Sequence, residues 1–214
     1  MKEKEIAYQI TNTYSTLNEL TSKTKNVWLV CHGIGFLSRY FIQYFTALNP
    51  VENYVIAPQA SSKYYLKNEY KHVGASWLTK ENTQAEIKNV MANLNAIYQA
   101  EQIPEHVNFF VLGFSQGVSV AMRWVARHQI HCDKLMIYAG SIPTELTRED
   151  FAFINPQKTK ILNIVGLQDE YFTEERMQQE HTKMQSLFGT NYIYKTYEGT
   201  HTVSKTALDM LTTL

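Results

Sequence analysis

The chain has 214 residues and a formal net charge of zero, a size and balance that suit one α/β domain over 1–214, burying roughly 70% of its extended surface. Twenty Lys and Arg face twenty Asp and Glu, and with no basic cluster the chain is not expected to bind nucleic acid or an anionic membrane surface. No apolar run is long enough to span a bilayer, and the start from Met1 to Gln9 lacks the apolar stretch of a secretory signal, so the expectation is a cytoplasmic protein without integral membrane association.

In chain order, Ile6, Tyr8 and Ile10 alternate with polar residues, which predicts an edge hairpin with Tyr14 to Leu20. Val27 to Cys31 reads as a buried strand, with Cys31 packing as a small hydrophobe. Phe36 to Leu48 has helical spacing, with Tyr40, Phe41, Tyr44, Phe45 and Leu48 on one side and Pro50 just beyond. Tyr54 to Ala57 is the next strand, closed by Pro58. Gln59 to Thr83 is rich in Tyr and Ser and has no clear period; a loop of that length is usually functional.

Ile87, Val90, Met91, Leu94, Ile97 and Tyr98 then mark a long amphipathic helix. Val107 to Leu112 reads as a strand buried on both faces, and Val118, Met122, Val125 and Ala126 follow at helical spacing. Cys132 falls in a loop, and its spacing from Cys31 suits neither a metal site nor a disulfide framework. Strands are expected at Leu135 to Ala139 and Ile161 to Val165, a helix at Glu174 to Phe188, a last strand from Tyr192 and a closing helix from Thr202 to Leu214. Six strands alternating with helices predict a mostly parallel sheet covered on both faces. Active sites in such sheets lie beyond the carboxyl ends of the strands.

Between the sixth apolar segment and its helix stands Gly113-Phe114-Ser115-Gln116-Gly117. This Gly-x-Ser-x-Gly spacing in a strand-to-helix context is the nucleophile elbow of a serine hydrolase. The serine is forced into a strained backbone, and its glycine neighbours give room where strand and helix nearly touch.

A serine hydroxyl needs a base in hydrogen-bond reach, and the base needs an orienting carboxylate. In the α/β-hydrolase order both lie downstream, acid before histidine. His128 and His131 sit at the far end of the elbow helix, with His128 at its carboxyl cap, and His181 falls in a polar, solvated helix. His201 remains, between the last strand and the last helix. The acid should follow the penultimate strand: Asp169 is favoured, with Glu170 its rival, while Asp133 lies at the wrong end of a strand and Asp150 in a charged loop.

Charge developing on the substrate carbonyl oxygen calls for two preorganised N–H donors. One is Gln116, directly after the serine. The other is assigned to Ile34 in the turn Cys31-His32-Gly33-Ile34-Gly35, with His32 holding that turn by hydrogen bonds. On the substrate side, Tyr64, Tyr65, Leu66 and Trp77 either line an acyl or aryl pocket or pack the long loop onto the body, and Ser141-Ile142-Pro143 offers another wall.

Taken together, His32-Gly33-Ile34-Gly35, Ala57-Pro58, Ser76-Trp77, Gly113-Phe114-Ser115-Gln116-Gly117, Gly166 with Asp169, and Gly199 with His201 resemble the phospholipase/carboxylesterase branch of the α/β-hydrolase fold. Acyl-protein thioesterases and small bacterial carboxylesterases belong to it. The resemblance implies Ser115, Asp169 and His201 as triad, Ile34 and Gln116 as oxyanion donors, and no large cap domain. Phe36 departs from the polar residue usual after the second turn glycine, Leu78-Thr79-Lys80-Glu81 replaces an aromatic-Asp pair, and Gly199-Thr200-His201 replaces Gly-Gly-His.

The expected function is hydrolysis of a small-molecule carboxylic ester through an acyl-enzyme, without cofactor or metal. Thioesterase or lysophospholipase activity is the alternative, and a hydrolase-fold binding protein without catalysis the rival from another class. Monomer and homodimer both stay open.

Overall fold

The computed structural model describes residues 1–67 and 69–213. Along the chain run β1 (Tyr14–Leu17), β2 (Asn26–Cys31), α1 (Ser38–Phe41), a 3-10 turn (Ile42–Phe45), β3 (Asn53–Pro58), β4 (Ser62–Tyr65), β5 (Val73–Ser76) and α2 (Thr83–Glu101). They are followed by β6 (Asn108–Phe114), α3 (Gln116–His128), β7 (Lys134–Tyr138), β8 (Lys160–Gly166), α4 (Glu174–Phe188), β9 (Ile193–Tyr197) and α5 (Lys205–Thr213).

One sheet of seven strands has the order β1-β3-β2-β6-β7-β8-β9. Every pair within it is parallel except the edge, where β1 runs antiparallel to β3 with Tyr14 opposite Pro58 and Leu17 opposite Val55. The chain leaves β2 toward β3 on one side and returns as β6 on the other. The crevice between the ends of β2 and β6 is therefore the point where the winding reverses, the place where such sheets bind ligands.

The period-2 geometry of the strands divides the core in two. Val27, Leu29, Val111, Leu135 and Ile137 point to one face and meet Ile87, Leu94, Val118, Met122, Trp124 and Met184 from α2, α3 and α4. Trp28, Val30, Leu112, Met136 and Leu162 point to the other and meet Phe41, Phe45, Ala207 and Leu211 from α1, the 3-10 turn and α5. A sheet packed on both sides explains why β2 and β6 read as apolar runs, and why β8 does so on either side of the buried Asn163. Cys31 and Cys132 are both buried and unpaired, and burial pushes both thiols up, that of Cys132 to about 12.

Three expectations are corrected. The segment before β1 forms no hairpin; Ile6, Tyr8 and Ile10 are exposed, so their alternation faces no core. Phe36 to Leu48 is not one helix but α1 and the 3-10 turn, and the buried set is Phe41, Ile42 and Phe45 while Tyr40 and Tyr44 are exposed. Helix formation is delayed to Ser38, whose N–H is held by the Gln59 side chain at 2.9 Å. Within Gln59 to Thr83, β4 and β5 pair as an antiparallel two-stranded sheet with Ser62 opposite Ser76. Leu214, the last residue of the expected closing helix, lies outside the described residues. No helix among the described residues is long and apolar enough to cross a membrane.

Candidate active site

Ser115 sits between β6 and α3 with φ 54° and ψ −121°, a conformation that costs an L-residue free energy and persists only when its surroundings fix it. They do. Ser115 N–H donates to Tyr138 O at 2.9 Å. A Cβ on Gly113 would stand 2.5 Å from Gly117 O and Val118 Cα, where strand and helix cross. A Cβ on Gly117 would stand 2.1 Å from Cys31 O, so this second glycine lets the helix start lie against the end of β2.

The hydroxyl of Ser115 is 2.9 Å from His201 Nε2, and His201 Nδ1 is 2.7 Å from Asp169 Oδ2. A carboxylate only accepts, so Nδ1 carries the imidazole proton and Nε2 presents its lone pair to the serine. Asp169 is buried at 5% exposure, and its Oδ1 accepts the Tyr171 N–H at 2.9 Å. Glu170 is exposed and accepts the His201 backbone N–H at 3.4 Å. The His201 ring lies between Phe114 and Tyr171, with centroids 5.2 and 4.7 Å away. The other histidines stay apart. His128 ends α3 and is exposed. His131 meets the ring of Phe153. His181 is not free in solvent as expected but bonds the Tyr192 hydroxyl at 2.9 Å.

The loop carrying His201 is tied to its neighbours. Tyr138, at the end of β7, meets the Tyr197 hydroxyl at 2.7 Å and Thr202 O at 2.6 Å, and its oxygen accepts from Ser204 N–H. Burial pushes the Tyr138 hydroxyl well above its ordinary range, so it remains a donor. Gln168 N–H donates to Gly199 O at 2.9 Å, fastening the Asp169 loop to the His201 loop.

The turn after β2 is held from below by His32. Ala60 N–H donates to His32 Nε2 at 3.2 Å, so Nδ1 is protonated and donates to Gly33 O at 2.8 Å. Burial lowers the pKa of His32 to about 4, against a smaller upward pull from the Gly33 bond, and the ring is neutral. Gly35, at φ 84°, turns the chain back and donates to Ala75 O at 2.8 Å. Ile34 N–H has no partner among the described residues. Gln116 N–H, at the first position of α3, is an orphan helix donor. Both residues border the cleft at Ser115.

The Gln116 side chain is a clamp. Its Oε1 accepts Trp77 N–H at 2.8 Å, and its Nε2 donates to Leu78 O at 2.7 Å and the Ser76 hydroxyl at 3.1 Å. Trp77 in turn donates its indole N–H to His32 O at 2.7 Å and packs at a tilt against the His32 ring with centroids 4.7 Å apart.

The cleft above Ser115 has a volume of about 470 Å³. It is lined by Phe36, Phe114, Ser119, Gly140, Ser141, Tyr171, Phe172 and Arg176, among others. Ser141 stands where the sequence places a wall. Tyr64, Tyr65 and Trp77 are not among the residues lining it, which corrects the pocket reading. Trp77 is buried beneath the turn, and Tyr64 and Tyr65 are half exposed on the β4 strand. Leu66 packs beside Gly35. The sequence marks Phe36 as a departure on the substrate side, but it singles out none of Tyr171, Phe172 and Arg176. Their signal was position, two to seven residues past Asp169.

A parallel sheet with a serine at positive φ, an imidazole and a buried carboxylate joined at its strand ends defines the α/β-hydrolase class. The family pattern described as phospholipase/carboxylesterase matches residues 12–213, and the chain belongs to that hydrolase family. No curated protein sequence matches the chain. Among solved structures it is similar to the acyl-protein thioesterase 2 of Zea mays, at 15% identity and TM-score 0.71 over 94% of this chain and 96% of that one. A phospholipase/carboxylesterase from Dyadobacter fermentans matches at 18% identity and TM-score 0.66 over 97% of each chain. Esterase PE8 matches at 19% identity and TM-score 0.69 over 95% and 97%. At these identities the likeness is one of fold.

Proposed function

We propose that this chain hydrolyses carboxylic esters through an acyl-enzyme on Ser115. The observation that carries the reading is the line Ser115 Oγ, His201 Nε2, His201 Nδ1, Asp169 Oδ2, with contacts of 2.9 and 2.7 Å. Ser115 Oγ attacks the carbonyl carbon while its proton passes to His201 Nε2. Asp169 holds the ring orientation and stabilises the imidazolium. The tetrahedral oxyanion is met by the N–H groups of Ile34 and Gln116. The C–O bond to the leaving group breaks, the departing oxygen takes the proton from His201, and the alcohol leaves. Water then gives a proton to His201 Nε2 and attacks the acyl carbon, the acyl C–Oγ bond breaks, and His201 returns the proton to Ser115 Oγ as the acid leaves.

The test is steady-state hydrolysis of a p-nitrophenyl acyl ester. Ser115→Ala lowers kcat by about 10⁴-fold or more, and a fluorophosphonate probe labels the unmodified chain at Ser115 only. Equal turnover by the variant refutes the assignment, and failure to label favours a binding protein. Thioesters are the second reading, favoured by the Zea mays acyl-protein thioesterase 2 among the neighbours. The kcat/KM ratio on matched thioester and oxygen-ester pairs separates the two.

A further inference from the structure

Arg176 stands in the wall of the Ser115 cleft. Its Nη1 donates to Tyr171 O at 2.7 Å, its Nη2 donates to the Ser141 hydroxyl, and its guanidinium lies 4.7 Å above the ring of Phe172. Each of these partners is neutral. Among the described residues no carboxylate lies within 4 Å of it. Contrast Arg123, whose fork closes on Glu145 at 2.6 and 3.2 Å. Of the acidic groups close to Arg176 in sequence, Glu180 accepts Ile142 N–H at 3.0 Å, Glu175 accepts from Gln179, and Glu170 meets the His201 backbone, while Glu174 forms no ion pair with it.

Arg176 also occupies the first turn of α4, where the helix dipole disfavours a cation. Helix stability therefore does not account for it. A guanidinium has five N–H donors in a planar fork; two are spent on neutral oxygens, and the side chain that carries the other three lines the cleft. Planar forks of this kind bind carboxylate and phosphate oxygens in preference to neutral acceptors.

We infer that Arg176 selects substrates bearing an anionic oxygen group, carboxylate or phosphate, beside the scissile ester. The inference rests on the ester-hydrolase reading above and adds the substrate class. The three walls then divide the work: Phe36 and Phe114 take the apolar part, the Ser115 line takes the carbonyl, and Arg176 takes the charge.

The test compares three matched pairs on the full chain. Phenyl hydrogen glutarate against phenyl 5-methylhexanoate places the carboxylate on the acyl side. 4-(Carboxymethyl)phenyl acetate against 4-isobutylphenyl acetate places it on the leaving group. 1-Butyrylglycerol 3-phosphate against 1-butyrylglycerol probes phosphate. The unmodified chain favours the anionic member of at least one pair, and which pair it is names the source of the charge. Arg176→Gln lowers kcat/KM on that member by about 10- to 100-fold and on its neutral partner by less than about 3-fold; Arg176→Lys retains part of the preference. A preference for the neutral member in all three pairs, or an equal loss on both members in Arg176→Gln, overturns the inference while Ser115-dependent turnover stands. Absence of Ser115-dependent turnover on every pair overturns the hydrolase reading and this inference with it. The ratios for the unmodified chain decide the matter even where the variant fails to fold.

Discussion

Replacing Gln116 by Met keeps the length of the side chain and its backbone N–H but removes every bond of the clamp. Three contacts go, to Trp77 N–H, Leu78 O and the Ser76 hydroxyl. At about 0.5 to 1.5 kcal/mol each, the loss is about 3 kcal/mol, with the upper part of the range applying where a shielded partner is left bare. For a chain of this size about 2 to 4 °C accompany each kcal/mol, so the melting midpoint of Gln116→Met falls by about 6 to 12 °C. The clamp also joins the start of α3 to Trp77, whose indole holds the carbonyl of His32. Loosening it shifts both of the proposed oxyanion donors, Ile34 and Gln116. Each such donor is worth about 10²- to 10³-fold, and partial misplacement costs about 10- to 100-fold in kcat on p-nitrophenyl acetate at a temperature where the variant is folded. A lower melting midpoint with unchanged kcat refutes the positioning role and leaves only a structural one. An unchanged midpoint refutes the energetics of the clamp itself.

His32 makes stability depend on pH in a defined direction. Its folded pKa is depressed from 6.5 to about 4, so its contribution is full above about 6.5 and is lost as pH falls from there to about 4, amounting to about 3 kcal/mol. Urea midpoints measured at pH 7.5, 6, 5 and 4 show this slope in the unmodified chain, and it flattens in His32→Asn; parallel slopes in the two proteins reject it. Gly117→Ala places a methyl 2.1 Å from Cys31 O, and the helix start must retreat from β2 at a cost of about 3 kcal/mol or more. Thermal melts and kcat both fall in this variant, and a midpoint within about 2 °C of the unmodified chain contradicts the close approach.

Much of this architecture was legible because β2, β6 and β8 are buried on both sides and leave apolar runs that no loop would carry. Chain order did much of the rest for the site: it left His201 as the base and Asp169, with Glu170 as rival, as the acid, and the structure joins Asp169 through His201 to Ser115. The hairpin of β4 and β5 was invisible for the opposite reason. Every residue of β4 is exposed, so no alternation marks it. The N-terminal alternation of Ile6, Tyr8 and Ile10 misled because periodicity reports a face only when something packs on it. The cleft wall was the least legible part. Phe36, Phe172 and Arg176 come from separate loops and a helix start, and only the tertiary arrangement makes them neighbours. Arg176 did leave one trace, a cation written where helix electrostatics oppose it.

The glycines at 113, 117, 140 and 166 each bring backbone oxygen to within 2.1 to 2.5 Å of where a Cβ would stand. The reacting centre is thereby framed by peptide groups, which sequence drift cannot easily alter. The cleft wall is framed by side chains, which it can. On the proposed reading, appetite for a substrate is thus separable from the ability to cut it: exchanges at 36, 119, 141, 172 and 176 would re-aim the cleft toward other esters without disturbing the masonry that holds Ser115 upright.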